Sequence, residues 1–333
     1  MSQARRPTLE DVAARAGVGR GTASRVINGA SRVSAQAREA VQTAIDELGY
    51  VPNRAARSLV TNRTDAIALV IAESEERVFG EPFFAGVVRG IGTAVAEADK
   101  QLVLLLAPAE RAGHIDDYLT RQHVDGVLLL SLHDDDTLPT RIRGHGIPVV
   151  LGGGPRPGPG VGYVDNDNAE GARLAVAHLL ERGRSRIATI AGPADMTVGH
   201  HRLEGYLSGL REAGLEPLTV QYGDFSQASG EAAMRTLLEQ HPDLDAVFAA
   251  SDPMAAGAMT VLRETGRTVP EDVAVVGFDD SAVAVSLDLT SVHQSADAMG
   301  RAMVEMLTEA IRAPDDEPAT RMLPTHLVVR SSS

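Results

Sequence analysis

The segment LEDVAARAGVGRGTASRVINGASRVS (9–34) carries the residue types that could handle a phosphate. It holds the cluster Gly17-Val18-Gly19-Arg20-Gly21, together with Arg15, Arg20, Arg25 and Arg32, and Arg38 lies just past its end. Glycine-rich turns cradle the phosphates of bound dinucleotides, but that fingerprint needs a preceding strand and a third glycine at fixed spacing. Here a capped, amphipathic helical stretch precedes the cluster and the third glycine is misplaced, so a cofactor loop is rejected. Other reactive chemistry is sparse. With no Cys there can be no disulfide, thiolate nucleophile or Cys-based zinc site. His200 and His201 are adjacent, so on a helix they point in different directions and do not form a metal-ligand pair. The run His133 to Asp136 reads as a solvated loop. No metal, no cofactor and no catalytic group is expected.

Charge says which phosphate the arginines face. Residues 1–63 hold ten Arg, no Lys and five acidic groups, a balance of +5, whereas the whole chain of 333 residues is at −14. A basic end on a large acidic body suits a polyanion-binding module attached to a sensory unit. Aromatics make up 3% and Trp is absent, so the core must be built from Ala, Val, Leu and Ile. No apolar run approaches the length of a membrane span and the start lacks a signal-peptide pattern, so the expectation is a cytoplasmic protein with no membrane partner.

The first 50 residues must position those arginines. Thr8 can cap a helix from Leu9 to Ala16, with Asp11 in capping-box position. Gly17 to Gly19 make a turn, a second helix runs from Arg20 to about Asn28, and Ser34 caps a third, Ala35 to Leu48, closed by Gly49. Val12, Ala13, Ala16, Val18, Ala23, Val26, Ile27, Val41, Ile45 and Leu48 are spaced to share one small core. Two helices joined by a glycine turn are the sequence form of a helix-turn-helix. Its second helix would enter the major groove and put Arg20, Gly21, Thr22 and Arg25 at base edges. Arg can pair bidentately with guanine. Thr8, Ser24, Asn28, Arg32 and Ser34 would hold phosphates and set register. The stretch 50–64 that follows contains a short Ala- and Arg-rich helical run, Asn53 to Val60, too short and polar to be stable alone.

From Asp65 the rhythm changes. Strand candidates fall at 66–72, 102–107, 125–131, 147–152, 186–192, 245–251 and 272–278. Helical stretches occupy 84–98, 112–122, 168–182, 200–213, 229–240, 253–265 and 295–311. Continuous aliphatic strands alternating with amphipathic helices predict parallel sheets covered on both faces, in two doubly wound subdomains. The Gly/Pro-rich segment 152–162 falls near their junction. Asp252-Pro253 has the form of an N-cap followed by Pro at the first helical position, which makes Asp252 structural.

These motifs together resemble the lactose/galactose-repressor (LacI/GalR-type) bacterial transcription regulators. The N-terminal stretch from Thr8 to Val60 carries the likeness, continued by EPFFAGVVRGI, QHVDGVLLLS, DNDNAEGARLAVAHLLERGRSRIATIAG, RLEGY, ASDPMAAGAM, VPEDVAVVGFDD and TSVHQ. The resemblance implies an all-α helix-turn-helix headpiece (1–52), a hinge helix (53–64) and an α/β core like that of periplasmic sugar-binding proteins (65–333). The core's N-subdomain would take about 65–164 and 295–323, and its C-subdomain about 165–294 and 324–330. Arg20 and Gly21 fall where the family varies operator choice, and Arg25 falls on a base-reading arginine. Leu59 matches the minor-groove wedge, with Ala56 beside it, and Asn53 is counted among the DNA-binding residues. Gly19 departs from the family's usual Ser or Thr, and Gly21 leaves bare groove beside Arg20, so G/C-rich half-sites are expected.

In the core, the resemblance places Asp279 at the sugar-binding aspartate, Arg202 at the arginine, and Phe225 and Phe278 at lining aromatics. Ser251 stands where many relatives have Asn. Glu73, Glu81 and Phe83 would contribute from the first subdomain, and Ala296 replaces an aromatic, opening room for a longer ligand. The ensemble also looks like actinobacterial repressors of cellulose and β-glucoside use, which implies cellobiose or a cello-oligosaccharide as effector; other di- or oligosaccharides remain open. A homodimer on a pseudo-palindromic operator is expected, because the chain ends soon after HLVVR without room for a tetramerising helix. Two alternatives stand beside this: a transport-type sugar-binding protein, which would have no use for the basic end, and a regulator that needs its ligand to bind DNA.

Overall fold

The computed structural model describes residues 7–28, 32–51, 63–106, 112–121, 123–134, 136–154 and 160–333. Contacts divide the chain into two units, up to Asp65 and from Ala66 onward. The proposed hinge residues Asn53, Ala56 and Leu59 lie outside the described residues.

Among its described residues the first unit has three helices: α1 (Leu9–Arg15), α2 (Arg20–Ile27) and α3 (Ala35–Leu48). Thr8 and Asp11 form the reciprocal capping box, Ser34 caps α3, and Gly49 closes it in the left-handed conformation. Gly19 caps α2 without a side chain, so the helix start offers only backbone N–H groups. Val12, Ala13, Ala23, Val26, Val41 and Ala44 form the buried core, with Leu9, Val33 and Tyr50 packed against it. Ala44 and these three flanking residues extend the core beyond the set the spacing suggested.

Among the described residues the second unit contains two six-stranded sheets. The first takes β1 (Ala66–Ile71), β2 (Gln101–Leu106), β3 (Gly126–Leu130), β4 (Val149–Gly152), β5 (Gly162–Asn166) and β11 (Thr320–Leu323), in the order β11-β5-β4-β3-β1-β2. Every pairing in it is parallel. The second takes β6 (Ile187–Ala191), β7 (Gln221–Tyr222), β8 (Ala246–Ala249), β9 (Ala274–Asp279), β10 (Thr290–His293) and β12 (His326–Val328), in the order β12-β10-β9-β8-β6-β7. It is parallel except for the β10–β12 edge pair. The helices are α4 (Glu75–Gly80), α5 (Pro82–Glu97), α6 (Ala112–Thr120), α7 (Leu138–Gly144), α8 (Asn168–Glu181), α9 (Thr197–Glu212), α10 (Gln227–Gln240), α11 (Asp252–Glu264), α12 (Ala282–Leu287) and α13 (Ala296–Arg312).

Central strands bury both faces because side chains alternate. Ile67, Leu69 and Ile71 of β1 enter one core with Val87, Ile91, Met303 and Leu307. Ala66, Ala68 and Val70 enter the opposite one with Leu119 and Ile142. In β8, Val247 and Ala249 face one side and Ala246 and Phe248 the other. Helix α13 follows the second sheet's β10 yet packs on the first sheet beside α5. The chain therefore passes between the sheets three times: after β5, between β10 and α13, and between β11 and β12. Several short elements had no readable signal: α4, α7, α12, β5, β7, β10 and β11.

Candidate functional site

In the first unit α2 is short; Arg20, Arg25 and Asn28 at its C-cap are exposed, and Thr22 and Ser24 are half-buried. Arg20 lies with Nε 2.9 Å from Glu10 Oε1 of α1. Arg25 folds back along its own helix: Nε donates to Gly21 O at 3.2 Å, and Nη2 to Thr22 Oγ1 at 3.5 Å. Both guanidinium groups therefore gather at the N-terminal end of α2, with Gly21 and Thr22. Asn28 Nδ2 donates to Ser24 Oγ, and Arg32 is exposed. Ser34 Oγ accepts from Ala37 N–H, which leaves the hydroxyl proton for an outside acceptor. Thr8 is different. Its N–H and Oγ–H both donate to Asp11 Oδ2, at 2.8 Å each. The hydroxyl expected to hold a phosphate is spent inside the capping box.

The second site is a cavity of about 290 Å³ in the core unit, between the carboxyl ends of the strands of the two sheets. That size is near the lower end of small-molecule sites, about 300–1,000 Å³, and strand carboxyl ends are where open α/β sheets bind ligands. From the first sheet's side come Arg77, Glu81, Phe83, Ser131, His133 and Asp165; from the second come Met196, Arg202, Phe225, Ser251, Asp279 and Gln294.

Arg202 is the anchor. It is 4% exposed, its guanidinium carbon lies 3.6 Å from the centre of the Phe278 ring, and Nε donates to Asn168 Oδ1 at 2.9 Å. Nη1 donates to Ala250 O at 2.5 Å and reaches Asp279 Oδ1 at 3.4 Å. Asp279 also accepts from Gln294 Nε2 at 2.5 Å, and Gln294 Oε1 accepts from Asn166 Nδ2 at 2.9 Å. A continuous hydrogen-bonded chain thus runs Asn166–Gln294–Asp279–Arg202–Asn168, fixing which edge of each group is presented. Burial pushes the Asp279 carboxyl up to about 6 against the opposing pull of Arg202, and pushes Asp252 up to about 7, helped by the charge of Asp279. Burial also raises Asp165 and Glu81 and lowers Arg202.

Three cavity residues that are not glycine have a positive φ: Ser131 at 62°, Phe225 at 71° and Asp279 at 109°. Such conformations cost of order 1–3 kcal/mol each and gather where a site over-determines them.

Several sequence expectations move at this point. Phe278 does not line the cavity; it is fully buried and carries Arg202 on its ring face. Glu73 also lies behind the lining, where its carboxylate accepts from Ser131 Oγ at 2.6 Å and pairs with Arg77 Nη1 at 2.8 Å. Ala296 packs against Gly86 rather than entering the cavity. Asp252 is not the N-cap of α11. Ser251 is, its hydroxyl accepting from Met254 N–H, because the extended backbone at Ser251 starts the helix one residue earlier. Asp252 instead turns inward, accepting from Ser281 N–H and Ser291 Oγ. The His133 loop is no mere solvated turn, since His133, Asp134 and Asp136 line the cavity. No metal-binding cluster occurs among the described residues.

Residue-level reading did not single out Arg77, Asp165, Asn166, Asn168 or Gln294. The polar run Asp165-Asn166-Asp167-Asn168, ending a strand in an aliphatic sheet, was a signal for three of them.

An arginine-bearing helix-turn-helix on a chain whose larger unit encloses a polar ligand cleft defines a ligand-responsive DNA-binding regulator. The chain belongs to the lacI family of bacterial regulatory proteins: that family's model matches residues 8–53, and a periplasmic binding protein-like domain matches 176–333. It is 55% identical, over all of both chains, to the HTH-type transcriptional regulator CelR of Thermobifida fusca. It is 35% identical to the HTH-type transcriptional repressor PurR of Erwinia tasmaniensis, covering 98% of this chain and 96% of that one. Among solved structures it is similar to a transcriptional regulator CelR–cellobiose complex, with 53% identity and a TM-score of 0.79 over 98% of this chain and all of that one. A Lac repressor dimer bound to operator and the anti-inducer ONPF matches with TM-score 0.84 and 28% identity, over 98% and 99% of the two chains. No helix among the described residues is long and apolar enough to cross a membrane.

Proposed function

We propose that this protein is a cytoplasmic transcriptional repressor of sugar-utilisation genes, without catalytic activity, released from its operator by cellobiose or a cello-oligosaccharide. The observation that carries the reading is the polar wall of the cleft. It offers directed donors from Arg77, Arg202 and Gln294 and acceptors from Asp165 and Asp279, beside apolar surface from Phe83, Met196 and Phe225. Groups of both kinds suit a ligand dense in hydroxyls, and each pairing left unmade by a wrong ligand costs affinity. Glu81, Asp134, Asp136, Asp165 and Asp279 outnumber the two arginines, which disfavours an anionic ligand. The full-length likeness to a regulator solved with cellobiose narrows the sugar.

On the DNA side, Arg20 and Arg25 read guanines in a G/C-rich half-site, with Gly21 and Thr22 beside them. Ser24, Asn28, Arg32 and Ser34 hold the backbone, and Thr8 acts by capping the first helix. Two subunits place two headpieces on a pseudo-palindrome, while Leu59, flanked by Asn53 and Ala56, wedges the minor groove. Sugar closes the cleft and weakens operator binding, so operator must weaken sugar binding by the same factor. The test is calorimetric titration of the purified chain with cellobiose, cellotriose, maltose and lactose. The reading expects the β-linked glucose sugars to bind at least tenfold more tightly than the other two. Equal binding of all four, or of none, removes it.

A further inference from the structure

The loop after β3 and the helix α4 belong to the first sheet's side of the cleft, yet both touch the loop that leads into α9 on the second. His133 Nδ1 lies 2.7 Å from Asp195 Oδ2, and the next residue's backbone N–H, Asp134, donates to Asp195 O at 2.9 Å. Arg77 Nη2 lies 3.9 Å from Met196 Sδ, and its guanidinium stands 5.5 Å from the Phe225 ring centre. The other imidazole nitrogen, His133 Nε2, faces Glu73 Oε1 at 3.5 Å. So Nδ1 is hydrogen-bonded to one carboxylate and Nε2 stands within ion-pair distance of a second. A neutral imidazole has one N–H donor and one lone pair, and in either tautomer a lone pair would face an anion; only the imidazolium presents an N–H and its charge to both. The charged groups around the ring are Asp195 from the loop before α9, Glu73 from the turn after β1, Arg77 from α4 and Asp134 and Asp136 from its own loop. Arg77 pairs with Glu73 and Glu81.

We propose that His133 is the positioning residue of a proton-dependent latch across the cleft mouth. It holds the two sides together when protonated and lets them part when neutral. The latch deepens the reading of the cleft as the effector site, but its closing motion can be measured without any sugar.

Because the chain has no Cys, spin labels can be placed singly at Glu76→Cys and Ala228→Cys, both exposed and on opposite sides of the mouth. Pulsed electron resonance then reads their separation at about pH 5.5 and about pH 8.5, spanning the range in which imidazole side chains ordinarily titrate. Asp279 in the same cavity, and Asp252 behind its lining, are also raised by burial into this range, so the His133→Gln chain at each pH is the reference. The expected result is a short, narrow distance at acid pH that lengthens at alkaline pH, with His133→Gln and Asp195→Asn showing the long distance at both. Combining the two substitutions should add nothing further, and His133→Gln should weaken cellobiose binding roughly 3- to 10-fold. A His133→Gln chain with the same distances and the same pH response as the parent overturns the latch. If cellobiose binds neither chain, the choice of sugar fails while the distances still judge the latch.

Discussion

Arg20 is held by a carboxylate of the neighbouring helix, not by its own. The Glu10 partner restrains a long side chain that would otherwise lose rotamer freedom on meeting a base. Replacing Arg20 with Ala should cost about 1–3 kcal/mol at one operator position and relax preference there. Glu10→Ala should leave preference in place but weaken specific binding by roughly threefold, the scale of an exposed ion pair. Binding measured on half-sites substituted base by base separates the two effects. In the core, Asp279→Asn keeps shape while removing the charge beside Arg202, and sugar binding should fall by about 2 kcal/mol, the scale of a hydrogen bond to a charged group. Calorimetry checks it. Arg202 and Asp279 were legible because they sit in recognisable sequence motifs. Arg77 was not: its site role arises from Met196 and Phe225, more than a hundred residues away in the chain, approaching a short helix with no pattern of its own.

At the scale of elements, the long aliphatic strands and their helices were readable from composition and period. β1 buries all six residues, alternating between two cores. The strands that escaped reading are short or polar. β5 reads Gly162-Tyr163-Val164-Asp165-Asn166, its last two residues committed to the cleft rather than to packing. Gly171 shows how an element supports the site. A Cβ there would lie 2.8 Å from Val292 Cγ1 and 3.0 Å from the Phe278 ring, and both side chains are fully buried. Gly171→Ala should destabilise the core unit by about 1–3 kcal/mol through overpacking. It should also weaken sugar binding, since Phe278 carries Arg202 on its ring. Denaturant unfolding and sugar titration of the same sample test both parts.

For the whole molecule, the basic headpiece on an acidic body makes operator binding salt-sensitive, and the buried carboxylates make stability pH-sensitive. Asp252 and Asp279 are raised by burial to about 7 and about 6, above the ordinary Asp value of about 3.9. Between those values the folded chain binds protons that the unfolded chain has released. The stabilisation they give is full below about pH 4 and is lost as pH rises through about 6 to 7. Thermal melts from pH 5 to pH 8 should show that decline, and Asp252→Asn should flatten it.

Release of operator by sugar tests the account most directly. The full-length chain, bound to a DNA fragment carrying its operator and followed by mobility shift, is titrated with cellobiose and with maltose. The account predicts that cellobiose dissociates the complex at a concentration at least tenfold below any effect of maltose. A complex that cellobiose leaves intact or tightens, with cellobiose binding to the free chain established, contradicts it.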